Sequence, residues 1–117
     1  MTTLERAIET YGKDMQLTVA VEELSELIKE ICKNKRGNDN IDNITEEMAD
    51  CYIMLEQIKI IFGIKNSKIY TVMEEKLARL EERLASNENA ETCVNCGAVI
   101  PEGRQVCPNC SINEQFK

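Results

Sequence analysis

The chain contains no histidine and no tryptophan, and only two prolines and five glycines in 117 residues. Without an imidazole, a histidine general base is excluded, and proton transfer falls to carboxylates or to water activated by a metal. Aromatic residues make up 4%, so any core is aliphatic, built from Leu, Ile, Val and Met. Glycine and proline are the strongest local breakers of regular structure, and their scarcity favours a helical body. Long apolar runs are missing too. The greasiest stretch, residues 58–64, is interrupted by Lys59 and Gly63, well short of the roughly 18 apolar residues of a membrane span. The start, Met1-Thr2-Thr3-Leu4-Glu5-Arg6, is charged and lacks the apolar core of a signal peptide, which sets the expectation of a cytoplasmic protein. Positive charge is also short: 14 Lys and Arg stand against 21 Asp and Glu, a net −7. Nucleic-acid interfaces are strongly basic, so neither a nucleic acid nor an anionic membrane is expected as the main partner.

What is present is helical periodicity. Leu17, Ala20, Val21, Leu24, Leu27, Ile28 and Ile31 recur every three or four positions and predict an amphipathic helix over residues 14–33. Asp14 is a candidate cap, after a shorter helix over residues 3–11 that ends at Gly12. Residues 34–40, Asn-Lys-Arg-Gly-Asn-Asp-Asn, have turn composition throughout. A second long helix is predicted over residues 41–62, with Ile44, Met48, Cys51, Leu55, Ile58 and Phe62 as its stripe and Gly63 as its stop. A third covers residues 67–85, where Ile69, Met73, Leu77, Leu80 and Leu84 have heptad-like spacing. Helices joined by short loops make an all-α, antiparallel bundle. The stripes are broad for a body ending near residue 88, and small domains bury little surface per residue. The expectation is therefore a homodimer or homotetramer with a shared helical core.

Acidic residues are paired on two of these helices: Glu23 with Glu26, and Glu47 with Asp50. Residues at i and i+3 lie roughly 60° apart around a helix, so each pair occupies one side. Glu23 and Glu47 border the apolar stripes, which brings four carboxylates around one volume when the helices pack. Four anions that close repel one another. A hard divalent cation relieves the repulsion, and Mg2+ takes such oxygen ligands together with substrate phosphates. Glu is also a good helix former, and one such pair alone is common on solvated helices; duplication at the same place relative to the stripe is what points to a metal. Gln16, seven residues before Glu23, shares its azimuth and extends the candidate site. Phosphate would need cations, and two sets are available: Lys76, Arg79 and Arg83 on the third long helix, or Lys33, Lys35 and Arg36 at the first loop. Solvated ion pairs with Glu75 and Glu82 are the alternative for the helical set.

After a polar stretch at residues 86–91 the composition changes. Cys93-Val94-Asn95-Cys96-Gly97 and Cys107-Pro108-Asn109-Cys110 are two Cys-x-x-Cys knuckles separated by ten residues. Two knuckles of this kind supply a tetrahedral Zn2+ site, and four thiolates make it a closed, structural one. Disulfides or an iron centre are the alternatives. The domain division is thus residues 1–88 for the helical body and 89–117 for the linker and a zinc-ribbon-like module, a candidate docking point for a protein partner. Cys51 lies in an apolar stripe and Cys32 near a helix end, where a small buried hydrophobe is the expected role.

The segments YGKDMQLTVAVEELSELIKEICK and NITEEMADCYIMLEQIKIIFG resemble the MazG-like, all-α nucleoside triphosphate pyrophosphohydrolases, whose pattern is ExxE, a variable spacer, then ExxD. Glu23, Glu26, Glu47 and Asp50 match it, and the resemblance spans about residues 4–85. It implies hydrolysis of a nucleoside triphosphate between the α- and β-phosphates, with Mg2+ or Mn2+ held by those four acids, in a dimer or tetramer. The cysteine module departs from most short members. Two other readings stay open: a helical dimerisation or adaptor protein whose acids are surface, and an inactive nucleotide-binding member of the family.

Overall fold

Thr2 begins the first helix through a reciprocal cap. The Glu5 amide donates to Thr2 Oγ1 and the Thr2 amide to Glu5 Oε1, both at 3.2 Å, which satisfies two of the donors a helix start leaves open. The resulting helix, α1 (Thr3–Tyr11), is followed in the computed structural model by α2 (Lys13–Lys35), α3 (Ile41–Phe62) and α4 (Asn66–Ala85). Residues 1–86, 92, 96–100 and 108–109 are described. Among them there is no strand, only an isolated antiparallel bridge between Thr92 and Val99, and no helix is long and apolar enough to cross a membrane. The all-α expectation for the body holds.

Helix ends follow local chemistry. Gly12 alone separates α1 from α2, its amide closing α1 onto the Ile8 carbonyl at 2.8 Å. Asp14 is not a cap: α2 starts at Lys13 with Gly12 before it, and Asp14 sits inside the first turn, where a carboxylate favours the helix dipole. At the other end, Lys33 and Lys35 belong to the last turn of α2 rather than to a loop, because cations are favourable beside the terminal carbonyls. Gly63 ends α3 with φ 65° and ψ 31°, a left-handed conformation that strains residues with a side chain.

Contacts divide the chain into Met1–Ile69 and Tyr70–Lys117, so α4 starts in the first unit and runs through the second. Within the first unit α2 and α3 pack side by side, and α1 touches both. The line buried between α2 and α3 takes in Ala20 and Cys51 of the predicted stripes but not most of their large aliphatic residues. On α2, Gln16, Ala20 and Glu30 are buried, whereas Val21, Leu24, Ile28 and Ile31 are exposed. On α3 the buried residues are Cys51, Met54 and Gln57, whereas Met48, Leu55 and Phe62 are exposed. A single chain has too few helices to cover broad apolar faces. The two helices meet where the polar edge of each stripe borders Ala20, Cys51 and Met54, and much of the aliphatic side is left outward.

Candidate metal centre

The α2–α3 seam is built on a seven-residue repeat of polar side chains. On α2 it runs Gln16, Glu23, Glu30; on α3 it runs Asn40 to Glu47 and Asp50 to Gln57. A spacing of seven is almost two turns, so each series stays on one side of its helix. The helices are antiparallel and the two series meet in order. Gln16 Nε2 donates to Gln57 Oε1 at 2.7 Å, both residues buried. One step along, Glu23 meets Asp50, and Cys51 Sγ donates to the Glu23 carbonyl at 3.5 Å. At the far end Asn40 Nδ2 donates to Glu30 Oε2 at 2.6 Å and to the Glu30 carbonyl at 2.9 Å.

Between the two neutral clamps lie the acids. Glu23, Glu47 and Asp50 each place a carboxylate oxygen within 4.8 Å of the other two. Glu23 and Glu47 are half-buried and Asp50 is exposed. Burial pushes the Glu23 carboxyl above its ordinary value of 4.5, and the charge and hydrogen bond of Asp50 push it the same way. Glu47 is raised by burial and then by the charges of Asp50 and Glu26. Glu26 is exposed and stands outside the group of three, yet its charge bears on both Glu23 and Glu47. The strongest charges acting on these acids are all carboxylates. Burial and the same anions also push the Cys51 thiol up, so Cys51 is a buried neutral hydrophobe rather than a nucleophile.

The donor set fits a hard cation. Oxygen ligands sit about 2.0–2.1 Å from Mg2+, so opposite ligands are roughly 4.2 Å apart. Three oxygens already within 4.8 Å reach that span through small side-chain rotations. Carboxylate oxygens are the ligands Mg2+ and Mn2+ prefer.

The other expected site residues are placed as follows. The Gln16 amide is engaged by Gln57 inside the seam rather than offered to a ligand. Lys33 pairs with Glu30 at 3.4 Å, and Arg36 follows it as the C-cap of α2. Lys76, Arg79 and Arg83 are exposed on α4 in the second unit. Cys93, Cys107 and Cys110 lie outside the described residues. Cys96 is exposed at a turn, and Gly97 after it has φ 76°, the left-handed conformation expected after a knuckle. Three polar residues of the seam carry no motif: Glu30, Asn40 and Gln57. Their signal was the same seven-residue offset from an acid, at positions where a polar side chain interrupts an amphipathic pattern. No family model, curated protein or solved structure matches the chain.

Proposed function

We propose that the protein is a Mg2+-dependent nucleoside triphosphate pyrophosphohydrolase, adding water between the α- and β-phosphates to give a monophosphate and pyrophosphate. The observation that carries this reading is the convergence of Glu23, Glu47 and Asp50 on one point, where among the described residues the charges that shift Glu23 and Glu47 are those of other carboxylates. These three would hold the ion, which would supply Lewis acidity toward phosphate oxygens and water. Glu26, the fourth carboxylate, stands beside them and accepts the proton of the attacking water. The Glu30–Asn40 and Gln16–Gln57 hydrogen bonds tie α2 to α3 on either side of the acids. Lys33, Lys35 and Arg36 at the end of α2 are the cations assigned to the leaving pyrophosphate.

Two further parts belong to this reading. The exposed faces of Val21, Leu24 and Ile28 on α2 and Met48, Tyr52 and Leu55 on α3 are covered by other copies, as a homodimer or homotetramer; a monomer by light scattering at micromolar concentration overturns that. Cys93, Cys96, Cys107 and Cys110 hold a structural Zn2+, which metal analysis of the purified protein checks. The enzymatic reading is tested by pyrophosphate release from a panel of ribo- and deoxynucleoside triphosphates with Mg2+. Release from at least one nucleotide, lost in Glu47→Gln, supports it. No release from any nucleotide defeats it, and release unchanged in the variant defeats the site assignment.

A further inference from the structure

With Tyr70 set at heptad position a, α4 places Leu77 and Leu84 at a, and Met73 and Leu80 at d. All five are between 43% and 60% exposed, and α4 contributes no buried residue. From Tyr70 to Leu84 the large apolar side chains other than Val72 at c fall on a and d, a seam narrower than the stripe of a helix packed on a globular core and the pattern of a two-stranded coiled coil. The flanks are sorted by charge. After the first turn, where Ser67 and Ile69 hold e and g, position g carries Lys76 and Arg83, and position e carries Glu74 and Glu81. Opposite charges at i±3 or i±4 stabilise single helices, but Lys76 has Val72, Met73, Arg79 and Leu80 at those offsets. Glu81 has Leu77, Ala78, Leu84 and Ala85. Neither charge has a partner position on its own helix, unlike Arg79, which has Glu75 and Glu82.

We propose that α4 pairs in parallel with α4 of a second copy of this chain. In a parallel pair each g residue faces the e residue of the next heptad on the other helix. Lys76 then meets Glu81 of the partner subunit, and symmetry makes the contact twice. In an antiparallel pair g faces g and e faces e, which sets Lys76 against Arg83 and Glu74 against Glu81. Both contacts repel, so the charges choose the parallel arrangement. The pair puts the C-terminal ends of both α4 helices on the same side. It also turns Lys76 and Arg83 from phosphate contacts into interhelical ones. This inference rests on α4 alone and stands or falls independently of the nucleotide chemistry.

The test uses the full chain. Sedimentation equilibrium should give a dimer constant weakened about five- to tenfold by Lys76→Glu and similarly by Glu81→Lys, since each replaces two exposed attractions with repulsions. The double exchange, or an equimolar mixture of the two single variants, should recover the wild-type value. Should other contacts keep every variant dimeric, amide exchange along α4 decides: protection present in wild type, reduced in each single variant and regained in the double. Tightening or added protection in Lys76→Glu would indicate an antiparallel pair and overturn the proposal. So would indifference of all variants by both measurements, or a mass of three or more copies held through α4.

Discussion

Glu23 and Glu30 lie seven residues apart on α2 and both turn toward α3, yet their surroundings are opposite. Glu30 is buried and satisfied: the Asn40 amide donates to its carboxylate at 2.6 Å, Lys33 stands 3.4 Å away, and its pKa is held below the usual carboxylate value, chiefly by the Asn40 hydrogen bond. Glu23 is half-buried, shares a hydrogen bond with another acid, and is pushed up by burial and by Asp50. Asn40 sits at the N-cap of α3 but makes no cap hydrogen bond: its Nδ2 donates to Glu30 and its Oδ1, the atom a cap would use, accepts from Asn34 Nδ2 at 3.2 Å. A helix start has thus given up a contact typically worth about 1 kcal/mol to complete the clamp. Within one seam, one acid is satisfied by complementary donors and another is set against further acids.

The sharpest way to break that comparison is to neutralise one acid of the cluster. Glu47→Gln should lower pyrophosphate release by at least about 100-fold, in the range of losing a positioned charge or general base, and abolish stabilisation by Mg2+ in thermal melts. Glu26→Gln should lose turnover by a comparable factor yet keep the Mg2+-dependent shift in melting temperature. Equal loss of Mg2+ stabilisation in both would make Glu26 a ligand and remove it as the proton acceptor.

Truncating the satisfied acid should do the reverse. Glu30→Ala leaves the Asn40 amide without its carboxylate partner and frees the end of α2 from the start of α3. Its melting temperature should drop by several degrees, while hydrolysis per folded molecule at a permissive temperature stays within about threefold. If Glu30→Ala is as stable as wild type, the clamp is not holding the seam.

A smaller effect separates the second clamp from the first, because Gln16–Gln57 is neutral. Gln57→Leu buries the Gln16 amide against hydrocarbon and should cost about 1–3 kcal/mol by urea unfolding. The double change Gln16→Leu with Gln57→Leu removes both polar groups and should return to within about 1 kcal/mol of wild type. Additive losses would mean that the two amides do not act as a pair.

The convergence of Glu23, Glu47 and Asp50 was legible because ExxE and ExxD report helical geometry directly: three positions put two carboxylates on one side. Helix ends were legible for the same local reason, as at Gly63. The seam was not. Periodicity identifies the apolar side of a helix and says nothing about which neighbour covers it, so Leu24, Ile28 and Met48 were read as interior although this chain leaves them exposed. The polar edge joins the α2–α3 contact because Gln16 with Gln57 and Glu30 with Asn40 satisfy one another there, and a seven-residue offset marks the positions without saying which residue of the other helix each one meets.

The two acids also predict opposite responses to pH when divalent cations are chelated. Glu47 is raised from 4.5 in the folded protein, so the folded state holds its proton more tightly than the unfolded chain. Its contribution is therefore complete below the unfolded value and is lost as pH rises through the folded one. Removing that charge should make Glu47→Gln melt higher than wild type at pH 7, with the gap closing in acid. Glu30 is lowered from 4.5, so its contribution is present above the unfolded value and disappears as pH falls through the folded one. Glu30→Gln should melt lower than wild type at pH 7, and its gap should also close in acid, from the other side. Melting curves of the three proteins in chelator between pH 3 and pH 7 read both signs at once. Two gaps of the same sign would erase the distinction between the satisfied acid and the strained one. Gaps of opposite sign would show that the protein holds charge repulsion at Glu47 in its folded state, and added Mg2+ should then raise the wild-type melting temperature most at neutral pH, where that repulsion is largest.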